Sequence, residues 1–138
     1  MSLSAEQKLE IHELLARWAY AYDERDVAML ENCFSEDAHF SMRIAGGDLV
    51  GPFEGREAIM GLMTGAMEEQ TDVRRHVVSN IFFEEGEGTI KVISNLTLFA
   101  TENGEIQLLS AGVYRDEVVE QGGTWRLVKR HLDLDKGY

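Results

Sequence analysis

Apolar residues recur at helical spacing in the first half of the chain and at alternate positions in the second. Ile11, Leu14, Leu15, Trp18, Ala19 and Tyr22 fall on one face of a helix beginning near Ser4. Ser4 and Gln7 have the spacing of a capping box, in which each side chain takes a backbone N–H that the helix leaves free. Val27, Leu30 and Phe34 predict a short second helix after Asp26. Ala38, Phe40, Met42 and Ile44 alternate with His39, Ser41 and Arg43, the pattern of a strand with one covered face. Gly46-Gly47 is expected to turn the chain, and Pro52, the single proline, to end a second short strand. Ile59, Leu62, Met63, Ala66 and Met67 predict a third amphipathic helix.

From Thr71 the period changes to two. Strands are predicted over Asp72–Glu84, Gly88–Thr101, Glu105–Val119 and Thr124–Leu134. They are joined at Glu85-Gly86-Glu87, Glu102-Asn103-Gly104 and Gln121-Gly122-Gly123, all with the chemistry of hairpin turns. Long antiparallel strands twist and curl, and three helices from the N-terminal half are available to cover one face. The fold class is α+β, a sheet folded around helices. With no repeat, linker or low-complexity stretch, residues 1–138 read as one domain.

Charge narrows the partners. Lys and Arg total 13 against 25 for Asp and Glu, a net charge of −12. A nucleic-acid binder needs a basic face, and anionic lipid likewise attracts basic segments, so neither nucleic acid nor membrane is expected as a partner. One cysteine, Cys33, rules out an intramolecular disulfide and a thiolate-rich metal site. No signal-type apolar run opens the chain and no stretch approaches a membrane span, which makes the cytoplasm the expected location. Motifs for phosphate cradling, dinucleotide binding, the serine-hydrolase elbow and the zinc-protease helix are absent.

Two residues stand out as chemistry. Asp23 flanks the apolar stripe of the first helix beside Tyr22 and Ala19, where it is either a solvated helix-end carboxylate, paired with Arg25 or free, or a buried acid that needs a partner. His76 lies in Arg75-His76-Val77-Val78-Ser79-Asn80, and alternation puts His76, Val78, Asn80 and Phe82 on one face. It is either a core histidine satisfied by backbone or a base, since imidazole accepts a proton near neutral pH. A carboxylate on its other nitrogen fixes the tautomer and stabilises the cation formed. His131, Asp133 and Asp135 alternate near the C-terminus, as hard metal ligands or as the solvated face of a last strand; no metal site is assigned to them. Asn95 is either a pocket amide or a cross-strand partner.

Together these segments carry a resemblance. Leu14 to Asp26, a helix ending in a carboxylate, Cys33-Phe34-Ser35-Glu36-Asp37-Ala38, Arg75 to Asn80, and Gly123-Thr124-Trp125-Arg126-Leu127 occur in the order found in the SnoaL-like family of the nuclear transport factor 2-like superfamily. The resemblance implies a cone-shaped, strongly curved, mixed or antiparallel sheet wrapped around the helices, with an apolar pocket inside. Scytalone dehydratase and hexachlorocyclohexane dehydrochlorinase, in this branch, use an Asp–His pair placed like Asp23 and His76, with no metal or organic cofactor. The dehydrochlorinase also uses an arginine in its last strand, and Arg130 falls at the similar position. Trp18 stands where the dehydrochlorinase has lysine, Leu98-Phe99-Ala100 where the dehydratase has a second histidine, and Met42 and Gly112 near the paired acids of ketosteroid isomerase.

The resemblance therefore implies a lyase or isomerase that acts without cofactor on a hydrophobic cyclic or polycyclic small molecule. His76 is the expected base and Asp23 its orienter. Arg130 or Asn80 is expected to steady developing negative charge, with Trp18, Tyr22, Phe40, Met42, Leu96 and Leu98 as pocket lining. A homodimer or homotrimer is expected, as proteins of this fold commonly pack sheet faces. The Arg75–Asn80 and Ser94–Phe99 segments also resemble the β subunit of aromatic-ring-hydroxylating dioxygenases, which implies the alternative of a structural or binding subunit.

Overall fold

The computed structural model describes residues 2–86 and 88–138. Helix α1 spans Ala5–Asp23, α2 Val27–Asn32 and α3 Arg56–Glu69. Strands β1 (Phe34–Ile44), β2 (Val50–Glu54), β3 (Val73–Glu85), β4 (Ile90–Glu102), β5 (Glu105–Gln121) and β6 (Thr124–Leu134) form one open sheet in the order β2-β1-β6-β5-β4-β3. All neighbours are antiparallel except β1 and β6, so the sheet is mixed.

Local chemistry accounts for the helix ends. The Ser4 hydroxyl accepts from the Gln7 N–H at 3.1 Å and the Gln7 side chain accepts from the Ser4 N–H at 2.9 Å, completing the capping box. Asp26 caps α2 through the Met29 N–H at 3.1 Å. Ile11, Leu14, Leu15 and Trp18 of α1 and Ile59, Met63 and Met67 of α3 are buried against the inner sheet face. No helix among the described residues is long and apolar enough to cross a membrane.

Three local expectations are corrected. Phe34 opens β1 instead of closing α2, because Leu127 of β6 donates its N–H to the Cys33 carbonyl at 2.8 Å and pairs in register with Phe34. Pro52 lies within β2, after a cis Gly51-Pro52 bond, and does not end it; an edge strand tolerates a residue with no N–H. The third correction is a bulge in β3. Ser79 pairs with Asn95 but Phe82 pairs with Ile93, so β3 carries one extra residue, and Asn80 takes a left-handed φ of 54°. The alternation changes phase there: Ile81 and Phe83 join Val78 on the core side, whereas Asn80 and Phe82 point outward. The turn expected at Glu85-Gly86-Glu87 closes through a Gly86 N–H to Thr89 carbonyl bond, with Glu87 outside the described residues.

Candidate active site

The last turn of α1 brings Asp23 to β3. One Asp23 carboxylate oxygen accepts the His76 backbone N–H at 2.7 Å, and the other lies 2.5 Å from His76 Nδ1. Both side chains are more than nine-tenths buried. A carboxylate on Nδ1 keeps the proton there in the neutral ring and leaves the Nε2 lone pair as the basic site. The imidazole is packed edge-on against Trp18, at 5.7 Å between ring centres, and against Tyr22, at 5.1 Å.

His76 forms part of the wall of an inner cavity of about 170 Å³. Trp18, Tyr22, Phe40, Met42 and Leu96 line it. Leu62, Met63 and Ala66 of α3 close one side, and Tyr114, Leu132 and Tyr138 complete it. Burial, reinforced by Tyr138, pushes the Tyr22 phenol above its ordinary range. On its other side His76 borders the open groove between α1 and β3.

Two residues expected at the site fall elsewhere. Asn80 is exposed at the bulge, with its side chain outside the cavity. Leu98 is fully buried and directly opposite His76 in register, yet it belongs to the core and not to the cavity wall. Asn95 is exposed as well.

Arg130 is fully buried but does not reach the cavity wall. Its Nε and Nη2 donate to the two carboxylate oxygens of Asp116 at 2.9 and 3.0 Å. The guanidinium lies 3.7 Å from the ring centre of Tyr114 and 4.4 Å from that of Trp18. Burial works against the charge, but Asp116 and Tyr114 outweigh it and hold Arg130 protonated. The guanidinium sits behind two rings of the wall, and its Nη1 has no hydrogen-bond partner among the described residues. Asp116 and Tyr114 were missed in the sequence, although Gly112, Tyr114, Asp116 and Val118 occupy one face of β5 and an acid among such residues asks for a partner.

A second polar network occupies the opposite sheet face. His131 Nδ1 lies 2.8 Å from the Ser41 hydroxyl and its Nε2 lies 2.9 Å from Asp133, which Arg115 also contacts at 3.0 Å. Desolvation works to raise the Asp133 carboxyl, but the bonds from His131 and Arg115 prevail and hold it below the usual range. Among the described residues no group of three or more His, Cys, Asp or Glu is arranged to hold a metal ion.

Residues 4–131 match the sequence model of the SnoaL-like domain. No curated protein matches the chain in sequence. Among solved structures, the chain is similar to a protein of unknown function with a cystatin-like fold from Nostoc punctiforme, at 24% identity and a TM-score of 0.81 over 98% of this chain and 96% of that one. It is similar to Aln2 from a Streptomyces species, at 25% identity and 0.82 over 98% and 95%. The β subunit of a putative aromatic-ring-hydroxylating dioxygenase from Novosphingobium aromaticivorans superposes at 0.82 over 98% and 94%, with 19% identity. The α+β cystatin-like architecture is common ground for all of them.

Proposed function

The chain belongs to the SnoaL-like family, and from that premise and the cavity geometry we propose a lyase or isomerase that works by general base catalysis without a cofactor. The observation that carries this reading is the double grip of Asp23 on His76, a histidine in the wall of a cavity lined mostly by aromatic and aliphatic side chains. His76 Nε2 takes a proton from carbon, and Asp23 holds the ring and offsets the positive charge that forms. A base so placed contributes about 100- to 10,000-fold in rate.

Volume bounds the part of the substrate held inside. An apolar cavity of about 150 Å³ accepts benzene, so about 170 Å³ holds one ring of a cyclic or polycyclic substrate, with the rest free to extend through the open side. The test is exchange of carbon-bound hydrogen for deuterium in D₂O, followed by NMR over a panel of one-ring carbon acids. His76→Ala is expected to bring exchange down to the buffer rate. Exchange within a few-fold of the parent protein in that variant defeats the reading. Retained exchange-silent behaviour together with a co-purifying oxygenase subunit supports the non-catalytic alternative.

We further propose self-association through the outer sheet face. Val73, Val77, Phe82, Ile106 and Leu108 are exposed there and share that face by register. Sedimentation is expected to give a dimer or trimer, and Phe82→Glu combined with Leu108→Glu a monomer.

A further inference from the structure

The outer sheet face carries a second cluster of reactive side chains, on the side away from the Asp23–His76 cavity. Register sets Ser41 of β1 directly beside His131 of β6, and Asp133 follows two positions along on the same face. The Ser41 hydroxyl lies 2.8 Å from His131 Nδ1, and an Asp133 carboxylate oxygen lies 2.9 Å from Nε2. A hydroxyl, a base and an acid that orients the base thus stand in series, the arrangement that makes a serine nucleophilic.

The acid dictates the proton positions. Asp133 is ionised at neutral pH and can only accept, so Nε2 carries the proton of the neutral imidazole. Nδ1 is then a lone pair, and the Ser41 O–H is the donor in the 2.8 Å bond. Arg115, opposite His131 in register, donates to the other Asp133 oxygen at 3.0 Å and keeps the acid from turning away.

Ser41 is half-buried and, with His131, lines an open recess of about 380 Å³. Lys91, Lys129 and Arg115 line it too. β1, β6 and β5 lie inside the sheet, where backbone N–H groups serve the ladder, so cationic side chains are the donors left for an oxyanion. Ammonium groups on long stems steady that charge less well than fixed backbone donors, which restricts the substrate to esters with a good leaving group. The polar lining suits a short acyl chain. Of the apolar residues proposed for self-association, only Phe82 is level with the recess; Val73, Val77, Ile106 and Leu108 pair with Thr97, Phe99 and Thr101 further along β4.

We propose that Ser41 is the nucleophile and His131 the general base of a second catalytic site, which cleaves aryl esters of short carboxylic acids. Ser41 Oγ attacks the ester carbonyl carbon while His131 Nδ1 takes the hydroxyl proton, and the carbonyl π pair moves onto oxygen. The intermediate collapses by breaking the bond from acyl carbon to aryl oxygen. The phenolate takes the proton from Nδ1 and leaves, and an acyl-Ser41 ester remains. Water, giving its proton to the same nitrogen, releases the carboxylic acid and restores Ser41. Asp133 is a positioning residue, which fixes the tautomer and offsets the imidazolium charge without touching substrate.

The probes are p-nitrophenyl acetate for turnover and phenylmethanesulfonyl fluoride for capture, in which Oγ displaces fluoride from sulfur. Peptide mass mapping of the native protein is expected to place the sulfonyl group on Ser41. Ser41→Ala is expected to remove the part of acetate hydrolysis that capture inhibits. His131→Ala is expected to slow both capture and that hydrolysis by about 100- to 10,000-fold, with thermal melting as the check on folding. In Asp133→Asn the amide can donate to Nε2, which reverses the bond to Ser41. ¹⁵N NMR of the imidazole is expected to show the ring proton moved to Nδ1, with capture lost in a protein that melts like the parent. Should the variants melt too low, the parent protein decides alone, because a sulfonyl group on Ser41 supports the site. Label on another side chain only, no label, or capture unchanged in a folded His131→Ala protein overturns it. The Asp23–His76 reading stands or falls separately, by deuterium exchange.

Discussion

Asp23 holds His76 by two different bonds, with one carboxylate oxygen on the backbone N–H and the other on ring Nδ1. The backbone bond fixes where the strand lies against α1, and the ring bond fixes which nitrogen is basic. A residue carrying only one of these duties is easier to replace. Asp23→Asn retains a carbonyl oxygen for one of the two bonds but loses the charge that steadies an imidazolium. Its exchange rate is expected to fall about 100- to 10,000-fold, with the fold intact by circular dichroism. Asp23→Ala is expected to lower the melting temperature as well, because it strands a buried donor at a cost of about 1–3 kcal/mol.

The Asp116–Arg130 pair yields a prediction about stability. Asp116→Leu leaves an uncompensated buried guanidinium and is expected to cost about 3–5 kcal/mol in urea unfolding. The double change Asp116→Leu with Arg130→Met removes both charges, and most of that loss is expected to return. A double variant as unstable as the single one shows that the pair does more than neutralise itself.

Gly112 is a matter of space. A Cβ there would collide with the Asp133 carbonyl oxygen and stand 3.2 Å from the Leu134 Cα on the neighbouring strand. Backbone cannot swing aside as a side-chain tip can. Gly112→Ala is expected to destabilise by about 1–3 kcal/mol and to speed amide exchange along the β5–β6 ladder.

At the β3 bulge the outcomes divide by backbone conformation. Asn80→Gly is expected to be near neutral, whereas Asn80→Val places a branched residue at φ 54° and costs about 1–2 kcal/mol. Neither change is expected to alter deuterium exchange, because the side chain faces away from the cavity. Lost exchange in a folded Asn80→Gly protein returns that amide to the site.

Cys33 supplies the pH dependence. Burial pushes its thiol up to about 11, against the pull of Arg130, Arg17 and Arg126. Below that value the thiolate is the minor form, and at pH 8 it is about 100-fold scarcer than for an ordinary cysteine. Iodoacetamide is expected to label the native protein slowly at pH 8, with a rate that rises about tenfold per pH unit toward 11. Labelling at the speed of free cysteine at pH 8 contradicts this.

Periodicity made the elements legible, since a capped helix over Ala5–Asp23 and hairpins at Asn103-Gly104 and Gly122-Gly123 depend on neighbours in sequence. The resemblance is what joined Asp23 to His76; by themselves the two residues interrupt apolar faces and read equally as a helix-end carboxylate and a core histidine. Illegible features depend on register. Nothing local announces that Asn80 shifts the alternation by one, which alone moved Asn80 and Phe82 to the wrong side. Asp116 and Arg130 are 14 positions apart and meet only when β5 and β6 are aligned. Without that alignment Arg130 reads as a free cation facing a ligand.

Asp23 also takes an N–H that an edge strand would otherwise display. β3 is the last strand on its side of the sheet, and its outward donors invite the backbone of another chain. The carboxylate closes one of them at His76, and the bulge at Asn80 breaks the straight run a few residues on. At the far margin β2 has five residues and carries Pro52, which has no N–H to offer. Both rims are thus blunted against strand addition, so that growth into fibrils by edge pairing meets a mismatch at either end.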